Sequence, residues 1–162
     1  MPAPSLTLPS RRRSALCAAL ACSLVALYPA QSPAAPGAGQ PAAAMEQCVT
    51  SVAQIERSAT FAGEMTAVPG TARMAMRIEV LESAPGEVGF HAVAAPGLGV
   101  WRDSDPRVKI YKYLKQVTNL SAPASYRALV RFRWMGAHGH VIKRAERITS
   151  RCEQPAPPPS AA

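Results

Sequence analysis

The sequence predicts an all-β sandwich of about seven strands, closed by one disulfide and preceded by an export signal. Three observations carry this. Apolar residues recur at every second position in the central and C-terminal thirds, Gly and Pro fall at short intervals between those runs, and Cys48 and Cys152 bracket nearly the whole patterned region. A period of two puts alternate side chains on one face of a strand, whereas a helix needs a period near 3.6.

The chain opens with Arg11, Arg12 and Arg13, an uncharged Ala- and Leu-rich run from Ser14 to Leu27, and then Tyr28, Pro29 and Ala30. This is the layout of a secretory signal. It assigns residues 1–30 to the signal, with cleavage near Ala30 or Ala34. The apolar run of about 13 residues is shorter than the roughly 20 of a spanning helix. An uncleaved anchor is the alternative. Cys22, following Ala19, Leu20 and Ala21, offers a second alternative, a lipidated first residue, although Ala19 stands where such signals usually carry Leu and apolar residues continue to Leu27. The expectation is ordinary secretion: a protein secreted or held in the cell envelope, with no membrane span after cleavage.

Loss of the signal removes Cys17 and Cys22, leaving Cys48 and Cys152. In an oxidising compartment two remaining cysteines pair, which predicts one intramolecular bridge. Two free thiols or an intermolecular bridge are the alternatives. Residues 31–44 are almost entirely Pro, Ala, Gly and Gln with a single Ser, and hold no large apolar side chain to offset ordering, so a disordered linker is expected. Residues 153–162, with Pro155 and Pro157 to Pro159, read as an extended, coreless tail. The interval 45–152 is then one domain, long enough for a single core.

Within it, Met45, Cys48, Val52 and Ile55 fit helical spacing as well as an extended chain. Strands are expected at 59–66, 72–83, 88–94, 108–118, 126–135 and 140–150, with a seventh at 98–102. Met74, Met76, Ile78 and Val80 alternate with Ala75, Arg77, Glu79 and Leu81. Tyr126, Ala128, Val130, Phe132 and Trp134 alternate with Arg127, Leu129, Arg131, Arg133 and Met135. The latter run is what a strand buried on one face requires. Pro69–Gly70, Pro85–Gly86, Pro96–Gly97, Asp105–Pro106, Pro123 and Gly136 to Gly139 punctuate the strands.

The stretch from Val117 to Tyr126 resembles the corresponding part of fibronectin type III domains, in which a Leu closes one strand and a Tyr six residues later begins the next; here these are Leu120 and Tyr126. The likeness covers about 45 residues of the second half, with Pro123 one place later than the family's turn proline. It implies an Ig-like, fibronectin type III-like sandwich with Tyr126 as a tyrosine corner bonded to nearby backbone, and a final hairpin turn at Gly136 to Gly139. The family's early Trp is missing, so Met74 and Met76 would fill its space. The chain as a whole also resembles small exported bacterial proteins with Ig-like folds, some carrying adhesion-related modules, a likeness that implies no activity. In that topology the two ends lie at opposite poles. If the first strand begins near Ala59, the residues from Cys48 to Ser58 must run extended along the module, about 33 Å, to bring Cys48 to Cys152.

Net charge is +8 over the whole chain. It is polarised: residues 46–105 are net acidic, while 106–152 set eleven Lys and Arg against Glu146 alone. Alternation puts Arg127, Arg131 and Arg133 on one outward face, with Lys143 and Arg147 expected to join from the neighbouring strand. Such a face attracts an anionic envelope polymer, lipid head groups or an acidic partner protein; the alternative is a solvated face. Nucleic acid is not expected, since the chain is exported and lacks a reader motif.

Catalytic signals are weak. There is no Gly-x-Ser-x-Gly elbow and no phosphate loop, and Gly97 and Gly99 lack the third glycine of a dinucleotide fingerprint. His138 and His140 would need further ligands to hold a metal. Asp103, Ser104 and Asp105 lack the Gly and Glu of a calcium loop. No cofactor, metal or catalytic residue is expected. The expected function is a non-catalytic extracytoplasmic interaction or scaffold module; the rival is a small exported hydrolase or ligand-binding enzyme subunit using His91, His138 or His140 with Asp103 or Asp105.

Overall fold

The computed structural model describes residues 40–159; the signal assigned to residues 1–30 lies outside them, as does most of the linker. The described chain forms nine strands: β1 Ala42–Val49, β2 Ser58–Thr66, β3 Arg73–Ser83, β4 His91–Ala92, β5 Trp101–Asp103, β6 Ile110–Thr118, β7 Ala124–Met135, β8 Val141–Ile148 and β9 Cys152–Gln154. A single 3-10 turn, Gln54–Glu56, is the one helical element among them.

All pairings are antiparallel. One sheet has the order β1-β2-β6; the other runs β4-β3-β7-β8, with β5 also on β3 and β9 also on β7. The two pack into an all-β sandwich closed by the Cys48–Cys152 disulfide.

The core follows from the alternation. Met74, Met76, Ile78 and Val80 of β3, and Tyr126, Ala128, Val130, Phe132 and Trp134 of β7, are buried against Ala59, Phe61 and Met65 of β2. Two details draw the sheets together. The Trp134 indole N–H donates to the Thr66 carbonyl at 2.8 Å, so the bulky ring lies between sheets with its one polar atom satisfied. A Cβ at Gly63 would come within 2.6 Å of Met76 Sδ and 2.9 Å of Val130 Cγ1, so only glycine lets β2 approach this closely. Met74 and Met76 are both fully buried in the core.

The Cys48 geometry corrects one expectation. Cys48 lies near the end of β1, opposite Ala59 in the β1–β2 ladder. It is therefore the residues before Cys48, not those after it, that run along the module, and residues 50–57 only reverse the chain around the 3-10 turn. The periodicity hides β1 because an edge strand half-open to water needs little apolar alternation; its Ala42 to Ala44 pair with β2 along the ladder, and Ala43 packs against the core. β9 likewise extends pairing to Gln154, whose side chain is buried. The strand expected at 88–94 shrinks to His91–Ala92, with a bend at Val88 and positive-φ Gly89 before it and irregular chain after it.

Candidate functional site

Directly opposed residues of an antiparallel ladder point to the same face, so register decides what the outward face of the larger sheet carries. Arg127, Arg131 and Arg133 of β7 lie on it, as the alternation requires. From β8, however, the residues opposite Arg131 and Arg133 are Glu146 and Arg144, while Lys143 and Arg147 stand opposite Trp134 and Val130 on the inward side. The expectation that Lys143 and Arg147 join the three arginines is thus corrected. Both sit on the sheet's last strand, where inward positions open onto the seam between sheets. The Lys143 ammonium lies 4.9 Å from the Trp134 ring centroid, and Arg147 donates to the Gln40 side chain at 3.1 Å. Long basic side chains suit such positions, covering apolar groups with their stems while the heads reach water.

The three arginines differ in their partners. Arg131 bridges Glu79 at 2.5 Å and Glu146 at 2.7 Å, and Glu79 also pairs with Arg77. Hydrogen bonding to Glu146, with Glu79 adding to it, raises the Arg131 pKa above its ordinary value. The middle of the face is therefore close to neutral. Arg127 and Arg133 have no carboxylate in ion-pair range among the described residues. Arg127 stacks on Phe90, 3.8 Å from guanidinium carbon to ring centroid, and Arg151 lies 5.3 Å from the same ring. Arg133 stacks on Trp101 at 3.6 Å, with Arg144 opposite it on β8.

Two cation–aromatic stations result, six residues apart along β7 and hence about 20 Å from each other. The first holds two guanidiniums and the second one, with Arg144 next to Arg133 in the ladder. Phe90, Arg144 and Arg151 were not among the sequence candidates. The signal available was weak: an isolated aromatic in a loop and two arginines outside the alternating run.

The residues considered for chemistry are scattered. His91 is exposed on β4 opposite Glu82, near the end of the sandwich away from the β7–β8 turn that holds His138 and His140. The His140 ring packs on Gly136, and Asp103 faces Arg73 at 3.9 Å. No hydrogen bond joins either turn histidine to Asp103 or Asp105 among the described residues, nor does any group of three or more His, Cys, Asp or Glu there form a metal-holding cluster. Trp101 is half-buried beneath Arg133.

A separate groove of about 280 Å³ opens between the sheets, lined in part by Val80, Glu82, Val93, Leu98, Lys115 and Leu120. At one end of it lies the corner around Tyr126. The Ser121 N–H donates to the Tyr126 hydroxyl at 2.9 Å, which donates in turn to Glu82 at 2.5 Å. Burial, then the bond to Glu82, pushes the Tyr126 pKa up to about 12.

Comparison of the chain with protein-family models, with curated proteins and with solved structures gave no significant match in any of the three.

Proposed function

We propose that this is a non-catalytic extracytoplasmic interaction module with a fibronectin type III-like fold, which holds an anionic envelope polymer or an acidic partner protein on the outward face of its larger sheet. A three-stranded sheet β1-β2-β6 facing a six-stranded one whose main path is β4-β3-β7-β8 supports the family reading, as does the bond from Ser121 to a tyrosine six residues beyond Leu120. The Cys48–Cys152 bridge supports an oxidising, extracytoplasmic setting.

The observation that carries the binding reading is the pair of stations, Arg127 with Arg151 at Phe90 and Arg133 at Trp101, where Arg127 and Arg133 have no carboxylate in ion-pair range among the described residues while the arginine between them is neutralised. Guanidiniums already held flat against rings lose little freedom when they meet a carboxylate, phosphate or sulfate.

The test is retention of the mature protein on beads carrying a linear polyanion such as dextran sulfate. Reversal of Arg127, Arg131 and Arg133 to Glu abolishes retention, whereas the same change of charge at Arg107, Lys109 and Lys112 leaves most of it. Equal loss in both variants would reduce the effect to net charge and remove the face as a site.

A further inference from the structure

The groove between the sheets has a feature independent of the arginine face. Lys115, Gln116, Val117, Thr118 and Asn119 all line it. A hollow touching only the inward face of β6 would meet alternate residues. A run of consecutive ones means that it reaches the open edge of the strand, the side away from β2. β6 is the last strand of its sheet, and among the described residues no backbone hydrogen bond joins it to the 93–98 segment across the groove. Alternate N–H and C=O groups of that edge are thus free to pair with an added strand.

The groove is also polarised along its length. Glu82 lies at the Tyr126 end, with one carboxylate oxygen held by the tyrosine hydroxyl. Lys115 lies toward Pro96, whose carbonyl it meets at 3.5 Å, and it has no carboxylate in ion-pair range among the described residues. Val80, Val93, Leu98 and Val117 lie between. From Lys115 to Asn119, beside the Tyr126 corner, is about 13 Å of strand, the spacing of side chains i and i+4 in an extended peptide.

We propose that this groove receives an extended segment of a partner protein, which adds to the open edge of β6 as a fourth strand of the smaller sheet. The segment presents an acidic side chain to Lys115, an apolar one to the floor two residues on, and a basic one to Glu82 after two more. Edge pairing supplies backbone hydrogen bonds that are blind to sequence, and the groove supplies selectivity.

The probe is the peptide acetyl-Thr-Glu-Thr-Val-Thr-Lys-Thr-amide, titrated into the isotope-labelled mature protein and followed by amide NMR. Saturable shifts confined to 93–98 and 114–121, with slowed exchange of β6 amides, are expected at millimolar peptide or below. Lys115→Glu weakens binding about tenfold or more, and a peptide with Lys in place of its Glu restores affinity to that variant, which shows that the substitution has not simply damaged the fold. A peptide with Pro replacing the Thr on either side of Val loses a backbone donor and binds more weakly. Absence of shifts, shifts on the arginine face alone, or affinity indifferent to the charge exchange overturns the proposal. So does concentration-dependent dimerisation that protects β6 without peptide, which would give the edge to a second copy of this chain.

Discussion

At the end of the sandwich where β1 and β6 finish and the C-terminal strand begins, several buried polar side chains and a covalent bond tie three separate segments together; at the opposite end the segments are joined mainly by backbone hydrogen bonds, with Ser104 as the buried polar side chain, accepting from the Met74 N–H at 3.1 Å. The first end contains the Cys48–Cys152 bridge. Beside it, Gln154 is buried and donates to the Val49 carbonyl at 3.1 Å. Arg57, only 5% exposed, donates to the carbonyls of Ser51 and Val52 at 2.7 Å each and of Leu120 at 3.4 Å, while Tyr126 links Ser121 to Glu82. The second end has the Val68–Thr71 and Gly136–His140 turns and one half-exposed ion pair, Arg73 with Asp103. The difference teaches that the ordering of the chain ends is concentrated where they meet, and that the other end relies on backbone pairing rather than on charged side chains or a covalent tie.

Four substitutions sharpen that contrast, each read by urea unfolding at neutral pH. Replacing Cys48 and Cys152 by Ser opens a loop of 104 residues and costs about 4 kcal/mol on the chain-entropy model. Arg57→Ala leaves carbonyls of two loops without their shared donor and costs about 3 kcal/mol; Arg57→Lys, which cannot reach three carbonyls with a planar fork, recovers only part. Tyr126→Phe costs about 1.5 kcal/mol. At the other end, Asp103→Ala costs under about 0.5 kcal/mol, since exposed ion pairs are worth little. A loss at Asp103 as large as that at Arg57 would break the comparison.

Tyr126 adds a pH signature. Its folded pKa, about 12, lies above the ordinary value near 10, so the folded chain keeps this proton where the unfolded chain releases it. The contribution is complete below about pH 10 and is lost as pH rises toward 12. Tyr126→Phe flattens that part of the stability profile, and ultraviolet titration of the wild type shows one phenol ionising late.

The inner faces were legible in the sequence because burial imposes alternation: the β7 run from Tyr126 to Trp134 and the β3 run from Met74 to Val80 form the core. The bridge was legible from the count of cysteines that removal of the proposed signal would leave. β1 was not, because Ala42 to Ala44 are three small residues in a row that show no alternation, although Ala43 packs against the core. Of the arginine face, Arg127, Arg131 and Arg133 were legible from alternation, but the residues that join them from β8 were not. Whether Glu146 or Arg147 stands beside Arg131 depends on the β7–β8 register, which shifts between Trp134 and Met135 and leaves no local mark in composition. Arg57 escaped notice for a related reason: its acceptors, Ser51, Val52 and Leu120, are backbone carbonyls, which every residue offers.

Polarity along the chain also became polarity in space. β7 and β8, both from the basic half, lie side by side in one sheet, whereas the basic Lys112 of β6 sits in the other sheet and pairs with Glu46 of β1 at 2.9 Å. The outward face of the smaller sheet is thereby balanced, and that of the larger is not.

The central claim is an exported sandwich closed by one bridge, and the intact mass of the protein recovered from its native compartment, with and without reduction, tests it most directly. The account predicts a chain lacking roughly its first 30 residues, no lipid on Cys22, and a gain of two hydrogens on reduction from the single Cys48–Cys152 bond. A chain that retains its first residues, or two free thiols before reduction, would contradict it.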